Sequence, residues 1–180
     1  PGGKTIVLAS RMDSDAVLYS NERSSDRKRR LDSVVNSCLP ESISSRVKTF
    51  CSDGATWCKR ESEVYERILL DAPCSSERHV FLDSKYLNEW SLSRIKTVSM
   101  EQWALLSCAY RLLAPNGILL YSTCALAVEE NDKMIERLFK KFSKDNDAFE
   151  LLEPTPDIEE IKKFSNFKSI LLISINFLIW

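Results

Sequence analysis

The sequence predicts an α/β fold with a mainly parallel sheet, helices on both faces, and truncation at both ends. Three observations predict it. Short apolar runs that read as buried strands alternate along the chain with stretches of helical spacing. Successive runs are followed by acids or thiols: Glu22, Asp53-Gly54, Asp71-Ala72-Pro73-Cys74 and Ser122-Thr123-Cys124. In an open parallel sheet ligands bind beyond the carboxyl ends of the strands, so these groups point to one binding edge. A glycine turn, Gly2-Gly3, opens the first helix and brings bare backbone N–H groups towards a ligand.

Each element has its own reason. Lys4 to Arg11 reads as the helix behind that turn, and Ala16 to Tyr19 as a short strand. Ser24 or Ser25 caps a helix that runs towards Cys38. A polar loop, 40–45, leads to a strand over Val47–Phe50 that ends at Asp53-Gly54. Glu66 to Leu70 is the next strand, ending at Asp71. Residues 79–97 show no periodicity and read as a long connection. Leu106, Ala109, Tyr110 and Leu113 fall at helical spacing, and Pro115-Asn116-Gly117 stops that helix. Ile118 to Tyr121 is a buried strand. Ile135, Leu138, Phe139 and Phe142 repeat the helical spacing, and Phe149 to Leu152 suggests one more strand. The expected organisation is a domain over 1–152, lacking its first strand, and an atypical tail over 153–180. The segment from Ser165 to Trp180 is expected to pack loosely. Its apolar run from Ile170 is shorter than the ~20 residues of a membrane helix.

Composition bounds the chemistry. The chain has 180 residues, 44% apolar and 28% charged, which suits one domain with a real core. A net charge of −1 gives no general affinity for nucleic acid or membranes, so any polyanion site must be local. Six cysteines lie without CxxC spacing, which argues against structural zinc. No segment resembles a signal peptide, so an intracellular protein with reduced thiols and no membrane association is expected.

Cys74 and Cys124 carry the strongest chemical signal. Buried core packing is the commoner fate of cysteine, but both sit just past strands in polar loops, where a thiolate can act as nucleophile. Glu22 alone reads as a solvated residue, and Asp53-Gly54 alone as an ordinary turn. For Arg27-Lys28-Arg29-Arg30, a solvated helix face outweighs phosphate contact. For Trp57, Trp90 and Trp103, packing outweighs base stacking. His79 is the only histidine, which counts against Ser-His or Cys-His hydrolases. A second reading is a P-loop nucleotide hydrolase, from Gly3-Lys4-Thr5 and the Ile68–Asp71 run. It leaves Cys74, Cys124 and Glu22 without roles. A third is a catalytically inactive fragment.

Five stretches together resemble the Sun/Nop family of RNA (cytosine-5) methyltransferases: Pro1-Gly2-Gly3-Lys4-Thr5, Asn21-Glu22 with Arg27, Asp53-Gly54, Asp71-Ala72-Pro73-Cys74-Ser75, and Tyr121-Ser122-Thr123-Cys124. The likeness spans roughly 1–143, and the Glu77-Arg78-His79 run resembles the branch with the mitochondrial rRNA enzyme. It implies a Rossmann-like class I methyltransferase that uses S-adenosylmethionine. Gly2, Gly3 and Lys4 would line the methionine end of that cofactor. Glu22, where the family usually has Asp, would hold the ribose with Arg27 nearby. Asp53 would reach the adenine amine, with Gly54 allowing close approach, and Asp71 would lie between cofactor and target base. Cys124 would attack C6 of cytosine and Cys74 would assist release. The two thiols are expected in one pocket beside Asp71, with a gap for a pyrimidine ring. The implied partner is RNA, rRNA favoured over tRNA; the sequence leaves the oligomeric state open, with a monomer expected. The implied location is the cytoplasm, or the mitochondrion or nucleolus in a eukaryote.

Overall fold

The computed structural model describes residues 1–75, 77, 90–142, 149–152 and 169–174, the last six by backbone alone. The chain divides into two compact units. The first comprises Pro1–Pro73, Ala104–Ser122 and Asn166–Trp180, and the second Cys74–Trp103 and Thr123–Ser165.

The first unit is built on a five-stranded sheet in the order β2-β1-β5-β3-β4, with every described pairing parallel. Its strands are β1 (Val17–Glu22), β2 (Val47–Cys51), β3 (Tyr65–Asp71), β4 (Leu113–Ser122) and β5 (Ser169–Ser174). Helix α1 (Gly3–Ala9) precedes β1, and α2 (Ser25–Cys38) and α3 (Glu41–Ser44) lie between β1 and β2, α3 within the stretch read as a polar loop. Helix α4 (Leu92–Leu112) precedes β4, and its C-terminal part belongs to this unit.

Strand alternation sets the core. Leu18 is buried with Ala9 of α1, Leu31 and Val35 of α2, Leu39 and Val47. Ile6, Ile43 and Leu69 pack against that cluster. Tyr19, the next residue along β1, points the other way, as period-2 geometry requires. There it joins Phe50, Trp57 and Tyr65 in an aromatic row with centroid spacings of 5.3 to 6.3 Å. The buried Thr5 and Ser20 hydroxyls bond at 2.9 Å and tie α1 to β1.

The structure corrects several expectations. β1 runs three residues past Tyr19, so Glu22 ends the strand instead of following it. β3 likewise includes Asp71. Helix α4 starts at Leu92, within the stretch read as a connection. Phe149–Leu152 is not a strand, and Leu151 and Leu152 are exposed. The largest correction concerns the tail. Residues 169–174 are not loosely packed: β5 lies in the middle of the sheet, paired with β1 and β3. The reason is backbone satisfaction. β1 and β3 present facing rows of N–H and C=O groups, and a buried row without partners is costly. A short, continuous apolar run such as Ile170–Ile173 suits a strand flanked on both sides.

In the second unit, the described parts are the Cys74 loop, Trp90, the first part of α4, the Cys124 loop, α5 (Asp132–Phe142) and residues 149–152. Met134 and Leu138 form the buried stripe of α5. Phe139 packs on Phe149 at 4.3 Å. Trp103 lies under the Arg137 guanidinium at 4.2 Å, which favours packing over base stacking there. Among the described residues, no helix is long and apolar enough to cross a membrane.

Candidate active site

Three carboxylates mark the C-terminal edge of the parallel sheet in the first unit. Glu22 is the last residue of β1, Asp71 the last of β3, and Asp53 lies two residues beyond β2. All strands run the same way, so these acids share one end of the sheet.

Each acid is held differently. Glu22 is 1% exposed. Arg27, in the first turns of α2, grips it with both arms: Nε donates to Oε2 at 2.8 Å and Nη2 to Oε1 at 3.2 Å. A buried carboxylate needs such pairing, and Arg supplies the matching fork. Asp71 is 5% exposed and accepts from Lys4 Nζ at 2.9 Å. That contact brings the start of α1 to the end of β3. Asp53 is exposed, and its Oδ1 accepts the Ala55 N–H at 3.0 Å, capping the 3-10 turn Gly54–Lys59. Gly54 is buried at the start of that turn.

Gly2 needs to be glycine. Its φ is +102°, and a Cβ there would meet Val34 Cγ1 at 2.8 Å. A Cβ at Gly3 would meet nothing within 4 Å, so the backbone there is open to an approaching group.

Asn21 is a residue the sequence reading did not assign. It is fully buried, and its amide donates to Ser52 O while its Oδ1 accepts from Ser52 N and Oγ. It locks the ends of β1 and β2 side by side, which fixes the platform beneath Glu22 and Asp53. Two members of the Arg27–Arg30 cluster pair with acids on the same helix, Lys28 with Asp32 and Arg29 with Asp26, and Arg30 Nε donates to the Asp26 carbonyl. His79 and Arg78 lie outside the described residues.

The second unit holds the thiols. Cys74 is buried, Cys124 half-buried, and their Sγ atoms touch at 2.7 Å. No ring fits between sulfurs at that distance, so the expected gap does not lie between them. None of the six cysteines is in a disulfide. Cys38 and Cys51 are exposed, whereas Cys108 is buried.

Two acids to which the sequence reading assigned no role at the thiols brace this pair. Glu130 Oε2 accepts from Ser75 N at 3.0 Å and Gln102 Nε2 at 2.8 Å. Glu77 Oε2 accepts from Leu126 N at 2.7 Å and Ala127 N at 2.6 Å. Glu77 stood out only as part of the Glu77-Arg78-His79 run and Glu130 not at all, because acids in charged stretches ordinarily face solvent.

A family model described as 16S rRNA methyltransferase RsmB/F matches residues 1–168. The chain belongs to this family. The ribosomal RNA small subunit methyltransferase F of Aeromonas hydrophila is 35% identical over 142 residues, 79% of this chain and 29% of its own length. That of Psychromonas ingrahamii is 32% identical over 94% of this chain and 34% of its own length. A solved methyltransferase homologue from Pyrococcus horikoshii superposes with a TM-score of 0.63 at 31% identity, covering 79% of this chain and 42% of that one. The chain thus spans about a third of the length of these curated relatives. The Rossmann-like methyltransferase fold follows from the same match, and the P-loop reading falls with it: Lys4, its phosphate lysine, is engaged with Asp71.

Proposed function

We propose that this chain carries the cofactor edge and the thiol pair of an S-adenosylmethionine-dependent RNA cytosine-5 methyltransferase that acts on rRNA. The observation that carries the reading is the pair of touching thiols, Cys74 and Cys124, in the loops that follow two adjacent parallel strands. Membership of the RsmB/F family supports it.

The residues of the first unit fit the cofactor. An ionised carboxylate has about four lone-pair positions. Arg27 takes one on each Glu22 oxygen, which leaves capacity for ribose hydroxyls while the guanidinium compensates the buried charge. Asp53, exposed beside Gly54, suits an exocyclic amine. Gly2, Gly3 and Lys4 would hold the methionine end, with Asp71 at the end of β3. When bound, the cofactor supplies an electrophilic methyl group.

The thiols supply the rest. Cytosine C5 is a weak nucleophile within an aromatic ring. Cys124 loses its proton and its sulfur adds to C6, which makes C5 enamine-like and able to accept the methyl group. Asp71, as an acid at N3, would favour that addition. Loss of the C5 proton and cleavage of the S–C6 bond restore the ring, and Cys74 serves this release. The target base must leave its stack for C6 to be reached.

The test is incubation of the chain with S-adenosylmethionine and a 16S rRNA fragment, followed by denaturing electrophoresis. Cys124→Ser should abolish methylation and form no adduct. Cys74→Ser should accumulate a slow-migrating protein–RNA band. An adduct that persists in Cys124→Ser would overturn the assignment. Absence of both cofactor binding and adduct in the unaltered chain would favour an inactive fragment.

A further inference from the structure

Cys74 and Cys124 lie on loops without regular secondary structure, yet their sulfurs are in contact. Strand pairing does not extend to these positions, so something else must set the spacing. The structure assigns that task to Glu77 and Glu130, which we propose act as a reciprocal clamp that positions the two thiols.

The two carboxylates cross in opposite directions. Glu130, six residues after Cys124, reaches to the Cys74 loop and accepts the N–H of Ser75, the residue next to Cys74. Glu77, three residues after Cys74, reaches to the Cys124 loop and accepts the N–H groups of Leu126 and Ala127. Each loop therefore carries the acid that holds the other. Bonds from N–H groups to an ionised acceptor are about twice as strong as neutral ones.

The clamp is itself anchored. Glu130 is fully buried and Gln102 of α4, also fully buried, donates to the same oxygen as Ser75. Glu77 Oε1 accepts from Trp90 Nε1 at 3.3 Å. Asn131 completes the frame from the carbonyl side: its Nδ2 donates to Ala125 O and Ala127 O, each at 3.0 Å. The backbone around Cys124 is thus pinned through both its N–H and its C=O groups. A misplacement of about 1 Å in a reacting group costs ~100-fold in rate. Two thiols that act in turn on one ring make that tolerance matter twice. The catalytic consequence rests on the proposed function; the clamp itself does not.

The experiment therefore has two readouts. The first is the rate at which diamide closes a Cys74–Cys124 disulfide, followed by peptide mass mapping; two thiols are oxidised as the diazene is reduced to a hydrazine. Unaltered chain should close fast. Glu77→Ala and Glu130→Ala should slow closure about tenfold or more, and Glu77→Gln, which keeps an acceptor oxygen, should restore most of it. The second is the rate of adduct formation with RNA in a Cys74→Ser background, which Glu77→Ala should lower while cofactor Kd stays unchanged. If Glu130→Ala does not fold, Glu77→Ala decides. Closure at the unaltered rate in a folded Glu77→Ala chain would overturn the clamp. Slowed closure in a chain whose Cys74→Ser form never gives an adduct would leave the clamp standing and overturn the covalent role proposed for Cys124.

Discussion

Glu22 and Cys108 show how single side chains are tuned by burial. Glu22 is withdrawn from water and held by the two-armed contact from Arg27, whose own side chain is largely covered. Removing one partner strands a buried charge, which typically costs about 3 to 5 kcal/mol. Arg27→Ala should lower the urea midpoint accordingly and weaken cofactor binding. Arg27→Lys should recover little, because an ammonium cannot reproduce the fork. An unchanged midpoint in Arg27→Ala would show that the pair carries no such weight. Cys108 is a different case. Burial, with help from its contact with Cys58, pushes its thiol up to about 12. The unfolded chain loses that proton near 9, so between the two values the unfolded state binds fewer protons and stability falls as pH rises. Stability from this group is fully present below about 9, by the ordinary thiol value. At pH 8 iodoacetamide should modify the exposed Cys38 and Cys51 and spare Cys108. Labelling of Cys108 at the rate of Cys38 would contradict its burial.

At the scale of elements, the strand ends were legible and the middle of the sheet was not. Ile68–Leu70 and Ile118–Leu120 are apolar runs closed by polar residues, a local pattern that marks a strand and its end together. That is why Asp71, Cys74 and Cys124 could be singled out from the chain alone. β5 could be recognised as an apolar run, but its place between β1 and β3 depends on strands some 100 to 150 residues away. Glu77 and Glu130 were missed for a related reason. Glu129 and Glu130 are neighbours of identical chemistry, one exposed and one fully buried, and only tertiary contacts separate them. The fold yields two checks. Gly117 lies where β4 passes close to β3: a Cβ there would meet Ala114 O at 2.8 Å and Glu66 O at 3.0 Å. Gly117→Ala should destabilise the first unit by about 1 to 3 kcal/mol, read from chemical denaturation. Leu172→Pro should cost about 3 kcal/mol or more, because proline removes a ladder donor from a central strand. A stability unaffected by Leu172→Pro would deny β5 its central place.

At the scale of the whole molecule, chemistry is divided between two compact units. The carboxylates proposed to hold the cofactor belong to the first, and the thiols and their clamp to the second. Among the described residues, Glu22 bonds Arg27, Asn21 bonds Ser52 and Asp71 bonds Lys4 within the first unit, and Glu77, Glu130, Gln102 and Asn131 make the bonds described above within the second. Substitutions at distant sites without shared partners usually add within about 0.5 kcal/mol, so independence of the two sets is itself measurable. Two measurements should therefore sort the variants into two groups. Glu22→Ala and Asp53→Ala should raise the Kd for S-adenosylmethionine, measured by calorimetry, and leave the diamide closure of Cys74 and Cys124 unchanged. Glu77→Ala should slow closure and leave that Kd unchanged. The Glu22→Ala, Glu77→Ala double variant should show both defects at their single-variant sizes. A closure defect in Glu22→Ala, or a double variant whose cofactor Kd departs from that of Glu22→Ala, would reveal coupling between the two networks and end the division of labour.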